Sequence, residues 1–310
     1  GQVSLDGLRL RLDDTQVKGA LRLVSLTRPG FRFALQLDRL DVDRYLPPRS
    51  IAASEHRPPT QPAAPSDGAT RPPQPAEESP PTPAPLAWLR TLDLEGQLAV
   101  GELKLGGLKG GRAQLEIQAK GGQINLDHHV KRFYGGTLDG DLDLDARGPE
   151  PRWRLVERAR RIQADPFLRD LTGTSRLTGT GGFGADLRAA GRTRPALTRS
   201  LEGQLDFRFS NGTFKGFNLA RAIREAKARL QGETLPPSNQ PLQTDFSELS
   251  ASAQVANGVA RNEDLAAKSP YLRVSGRGSV DIAAATLDLS LIHISEPTSP
   301  TATSRMPSSA

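Results

Sequence analysis

The chain contains no cysteine, which excludes disulfide staples, thiolate nucleophiles and cysteine-held metals. That suits a reducing compartment, or an exported protein whose core stands without cross-links. Nowhere does an apolar run approach the ~18 residues of a membrane span, and no signal peptide precedes the first strand pattern. Aromatic residues make up only 5% of the 310 positions, a poor supply for stacking bases. There are four histidines, and no G-x-S-x-G elbow, H-E-x-x-H helix or Walker loop occurs. The expectation is a protein that is not an enzyme, with no cofactor and no metal. Residue 1 is Gly rather than Met, and the strand pattern starts at once, so a piece of a longer protein is expected.

What is present is proline and glycine, 25 and 30 residues, and a net charge of +6. A basic balance admits nucleic acid, anionic lipid headgroups or simply a solvated surface. The densest basic run, Arg152, Arg154, Arg158, Arg160 and Arg161, carries a single aromatic, Trp153. It reads as a solvated patch first and a headgroup contact second, with no nucleic acid expected.

Along the chain, apolar and polar residues alternate with the period of half-buried strands. Residues 1–47 read as a β meander: Leu8, Leu10 and Leu12, then Val17, Leu21 and Leu23, then Phe31, Phe33, Leu35 and Leu37. Residues 48–86, rich in Pro, Ala, Ser, Thr and Glu, read as a disordered or polyproline-like linker or insertion; a proline-rich ligand is the alternative. Residues 87–289 form the main domain. Leu92 and Leu94, Leu98 and Val100, and Leu103 and Leu105 read as short strands separated at Gly96, Gly101, Gly106 and Gly107. A short helix is expected from Pro195 to Leu201.

The domain is organised around Gly203 to Ile282. Leu205, Phe207 and Phe209 alternate on a strand, and Asn211-Gly212 is read as a hairpin turn. Leu219, Ile223, Ala226 and Leu230 then mark one stripe of a helix capped by Asn218 and ended by Gly232. Leu249, Ala251, Ala253 and Val255 return to period two, with Asn257-Gly258 as the next turn. The small Ala251 and Ala253 are expected to let that helix lie on their face.

Three clusters invite a chemical reading. His128 and His129 are adjacent; on a strand they point to opposite faces and cannot share a metal, and a loop pair is the simpler expectation. Gly179-Thr180-Gly181-Gly182-Phe183-Gly184 matches G-x-G-x-x-G, but Gly191 and Pro195 leave no room for the following helix. It reads as a glycine-rich turn between strands. Asp139, Asp141, Asp143 and Asp145 alternate with leucines, the pattern of a solvated strand face.

An ordered set of phrases carries a family resemblance: Tyr134-Gly135-Gly136, Asp165-Pro166-Phe167-Leu168, Gly216-Phe217-Asn218-Leu219, Thr244-Asp245-Phe246-Ser247-Glu248-Leu249, Asn257-Gly258-Val259 and Lys268-Ser269-Pro270. Over 87–290 the chain resembles the C-terminal domain of the AsmA family, and 1–47 resembles the strands that precede it. Ser290 to Thr298 resembles a translated sequencing adapter, so 290–310 is expected to be a non-native tail.

The resemblance implies a mainly β fold, a curved antiparallel meander sheet shaped as a groove, with one or two covering helices. It also implies a periplasmic protein, anchored in the inner membrane of a Gram-negative bacterium through an N-terminal helix absent here, and acting in outer-membrane biogenesis. The implied partners are phospholipid or another envelope lipid and outer-membrane assembly components. The expected lining residues are Leu142, Leu144, Leu205, Phe207, Phe209 and Phe214. Two readings remain open at this point: a lipid-binding or lipid-conducting groove, and a non-conducting scaffold in which the same face is a closed core.

Overall fold

The computed structural model describes residues 2–24, 30–45, 86–233, 241–269 and 272–295. These residues build one curved, open sheet of fourteen strands in simple sequence order. The first three strands are β1 (Val3–Leu12), β2 (Thr15–Leu23) and β3 (Gly30–Asp41). The next six are β4 (Asp93–Leu105), β5 (Leu108–Lys120), β6 (Gln123–Phe133), β7 (Gly136–Asp145), β8 (Arg152–Gln163) and β9 (Thr180–Ala190). The last five are β10 (Glu202–Lys215), β11 (Gln243–Ala256), β12 (Val259–Lys268), β13 (Arg273–Asp281) and β14 (Thr286–Ser295). Three α-helices interrupt the meander: α1 (Ala164–Thr172), α2 (Arg194–Arg199) and α3 (Leu219–Leu230).

Twelve of the thirteen pairings between neighbouring strands are antiparallel; β3 and β4 run parallel, with Gly30 beside Asp93 and Asp41 beside Lys104. A parallel neighbour requires the chain to travel back along the whole strand before re-entering. Residues 46–85, and with them most of the expected linker, lie outside the described residues.

Several local expectations are corrected. The residues around Gly96 and Gly101 form one thirteen-residue strand, β4, rather than three short ones. Gly96 lies beside Phe33 in the parallel pair, and the Phe33 ring occupies the space where a Cβ would project. Asn211-Gly212 does not reverse the chain. Asn211 takes φ 52° inside β10, which continues to Lys215. The glycines Gly181, Gly182 and Gly184 stand within β9, not in a turn; Gly181 faces Phe209, and a Cβ there would collide with the neighbouring backbone. Asn257-Gly258 does form the two-residue turn expected of it, with φ 52° and 76° and Ala256 paired to Val259.

Helix α3 starts and stops where the sequence places it. The Asn218 side chain accepts from the Arg221 amide at 2.8 Å, and Gly232 follows the last turn with φ 72°. Its docking differs from expectation. The Leu219 amide donates to Thr244 Oγ1 at 3.0 Å and that hydroxyl donates to the Phe217 carbonyl at 2.8 Å, which ties the first turn to the start of β11. Ala228 is buried, but no described α3 side chain joins either packed cluster, and Leu230 is 90% exposed. Leu219, Ile223 and Leu230 are the only large apolar side chains in the helix, so laying it flat over Ala251 and Ala253 would bury little. β14 extends through Ser295, so the backbone of 290–295, the start of the expected tail, pairs with β13; residues 296–310 lie outside the described residues.

Candidate functional site: an uncovered apolar face

From β1 to β11 the pairing shifts register only between Leu5 and Leu8, Val130 and Phe133, and Ala159 and Ile162, so residues of one phase line up as rows that cross the strands. The central row reads Gly96, Ile117, Leu126, Leu142, Leu155 and Leu187 on β4–β9. It extends to Phe33, Leu21 and Leu5 on one side and to Gly203 and Val255 on the other. Every member is apolar or glycine. Ten strand spacings of about 4.8 Å give the row a length of roughly 48 Å.

Packed material borders this row at both ends of the strands. At one end, α1 seats Phe167 against Phe133 and Tyr134 with ring centroids 5.9 and 5.6 Å away, and stacks it on Phe183 at 5.4 Å. Val100, Val130, Ile162, Phe209 and Phe246 belong to the same cluster. The Tyr134 hydroxyl locks this border: it accepts from the Lys109 amide at 3.0 Å and donates to Asp170 at 2.8 Å. Burial, then the Asp170 carboxylate, pushes its pKa up to about 12. At the other end, the 3-10 turn Ala87–Thr91 places Leu89 against Leu144, Ala146, Ile124 and Trp153. Between the two borders, Ile117, Leu126, Leu142, Leu155 and Leu187 are half-buried and belong to neither cluster. Among the described residues no second sheet and no helix lies over them.

The sequence-expected lining residues fall in three groups. Leu142 lies in the central row, and Leu205 and Phe207 are half-buried on the same face, Phe207 against the border cluster with its ring 6.2 Å from that of Phe209. Leu144 and Phe209 are 7% and 6% exposed and lie in the two border clusters. Phe214 is 43% exposed near the end of β10, past the positive-φ residue Asn211.

The opposite face is charged and largely self-paired. Arg154 forks onto Asp186 at 3.0 and 3.3 Å, and this contact holds the Asp186 carboxyl below its ordinary value. Asp139 meets both Arg160 and His129, and Asn125 donates to Asp143 at 2.9 Å. The acidic run of β7 and part of the basic run of β8 thus answer one another across the sheet.

His128 and His129 lie in the middle of β6, not in a loop, and point to opposite faces. His129 joins the charged side. His128 stands on the apolar side, where its Nε2 meets Glu157 Oε2 of β8 at 3.1 Å. The strand between them places Gly140 in register with both, and a side chain at that position would run into the Glu157 carboxylate. Burial pushes the His128 pKa down, but the hydrogen bond and charge of Glu157, helped by Asp139 and Asp141, raise it overall. Sequence reasoning did not find this pair. The available signal was that His128 shares the phase of Leu126 and Val130, and Glu157 that of Leu155 and Ala159.

A family model described as the AsmA family matches residues 2–265. Protein AsmA of Escherichia coli (strain K12) is 20% identical over 287 residues, covering 93% of this chain and 46% of that protein. The chain therefore spans about half the length of that relative. No solved structure matches.

Proposed function

The chain belongs to the AsmA family, and from that premise we propose that its open apolar face binds phospholipid acyl chains and carries them along the sheet. In this reading the protein is a periplasmic component of the Gram-negative envelope, held at the inner membrane and serving outer-membrane biogenesis. It binds and conducts, with no chemical step. The observation that supports it is the central row: apolar or glycine across eleven strands and outside both packed clusters, with Ile117, Leu126, Leu142, Leu155 and Leu187 half-buried at its middle.

Transfer of one methylene out of water is worth ~0.8 kcal/mol, so a sixteen-carbon chain fully enclosed would gain on the order of 12 kcal/mol. An open face covers only one side of the chain and yields about half of that. Such a value holds a lipid against water yet leaves it free to exchange into a bilayer.

The test places a photo-activatable amino acid at Leu142 or Leu155 in the central row and, as a control, at Asp141 on the charged face. The full-length protein is then illuminated in membranes and its adducts read by mass spectrometry. Lipid adducts at the first two sites and none at Asp141 support the reading. Adducts to protein alone at Leu142 and Leu155 reject it in favour of a scaffold closed by a partner.

A further inference from the structure

Among the described residues, the His128–Glu157 contact is the one ionisable pair that the register places within the apolar rows of β4–β10. On its own row it is flanked by Leu115 and Leu98 on one side and by Ala185 and Leu205 on the other. The two side chains are only 13% and 18% exposed, and each spends one polar atom on the other. His128 Nδ1 and Glu157 Oε1 have no hydrogen-bond partner among the described residues, and neither is sealed from solvent. A half-used donor and a half-used acceptor in apolar surroundings gain from a ligand that completes both.

We propose that His128 and Glu157 form a headgroup station in the furrow, which takes the zwitterionic phosphoethanolamine group of a phospholipid whose chains lie along the neighbouring apolar rows. With the imidazole doubly protonated between Glu157 and the ligand, the phosphate accepts from His128 Nδ1 and the ammonium donates to Glu157 Oε1, so each charge of the ligand meets its opposite. A purely anionic headgroup satisfies the histidine but sets its charge against Glu157, and an uncharged hydroxyl reaches the two atoms only through weaker hydrogen bonds that lack the matching charges. Gly140 is part of the station, because a Cβ there would run into the Val156 carbonyl and the Glu157 carboxylate. This assignment rests on the lipid-binding reading above and adds to it the identity of the polar group.

The test incubates the full chain with vesicles of equal phosphatidylethanolamine and phosphatidylglycerol, re-isolates the protein, and weighs bound lipids by native mass spectrometry. The wild type is expected to enrich phosphatidylethanolamine. Glu157→Gln is expected to reduce that enrichment about tenfold, the loss of one charge-assisted hydrogen bond. The double variant His128→Leu/Glu157→Leu keeps a packed apolar surface, since replacing a buried ion pair by apolar residues is commonly neutral for folding. It is expected to bind as much total lipid with no headgroup preference. An unchanged lipid ratio in the double variant, or no enrichment in the wild type, overturns the station while leaving the furrow intact. Wild type that carries no lipid at all overturns the furrow and the station together. Soluble phosphoethanolamine is expected to leave the bound lipid in place; its displacement of that lipid would reassign the site to a free small molecule.

Discussion

Truncating leucines of the central row distinguishes an open face from a closed core by its energetic cost. Ile162 is fully buried in the border cluster, so Ile162→Ala loses both its transfer energy and the cavity it leaves, about 2–5 kcal/mol. Leu142 and Leu155 are half-buried, and water reaches any space that truncation leaves beside them. Only about half of the 1.5–3 kcal/mol for a fully buried side chain is at stake, so Leu142→Ala and Leu155→Ala should each cost about 1 kcal/mol. Urea unfolding, followed through the fluorescence of Trp153 in β8, reads all three on one scale. Similar midpoint shifts for the row leucines and Ile162 would mean that the row is sealed, and the lipid reading would fall with it. A small shift at Leu142 and Leu155 beside a large one at Ile162 is the expected result.

Three further perturbations test the parts around the row. Tyr134→Phe removes the hydroxyl that bridges the Lys109 amide and Asp170 and should cost about 1–2 kcal/mol in the same urea assay; no change would show that the border is held by ring packing alone. Asn218→Ala removes the cap on the Arg221 amide and should cost α3 about 1 kcal/mol. Because that helix joins neither cluster, circular dichroism should report lost helix while the urea midpoint of the sheet stays put. The third is pH. The His128 pKa is raised on folding, so its stabilising contribution is fully present below the ordinary histidine value near 6.5 and is lost as pH rises through the folded value. The urea midpoint should therefore fall from mildly acidic to alkaline pH, and Glu157→Gln should flatten that fall; an equal fall in the variant would assign it to other groups.

Much of the fold was legible because its signals are local. The alternation of Leu8 with Arg9, the Asn257-Gly258 turn, and Asn218 and Gly232 at the ends of α3 each depend on a handful of adjacent residues. What misled was glycine, which marks a turn only where the chain has nothing better to do with it. Gly96 makes room for the Phe33 ring, and Gly181 for the neighbouring strand carrying Phe209; both lie within strands because a partner from another part of the chain needs the space. The parallel step between β3 and β4 was hidden for a related reason. It depends on which way the chain re-enters after the proline-rich segment, and the alternation in Asp93–Leu105 is the same in either direction.

The candidate site shows the same limit more sharply. Half of its content, the apolar phase of each strand, is written in single stretches, and the apolar-face positions of Leu142, Leu205 and Phe207 follow from it. The other half is register. Leu142 belongs in one row with Leu155 and Leu126, while Leu144, two residues on, belongs to a packed border; nothing within β7 separates the two. His128 and Glu157 are 29 residues apart, and they meet only because β6, β7 and β8 pair without a slip between Ile124 and Val130 and between Leu144 and Leu138. Taken strand by strand, each is one polar residue out of place. Laid side by side, they face each other over a glycine whose missing side chain leaves room for the Val156 carbonyl and the Glu157 carboxylate.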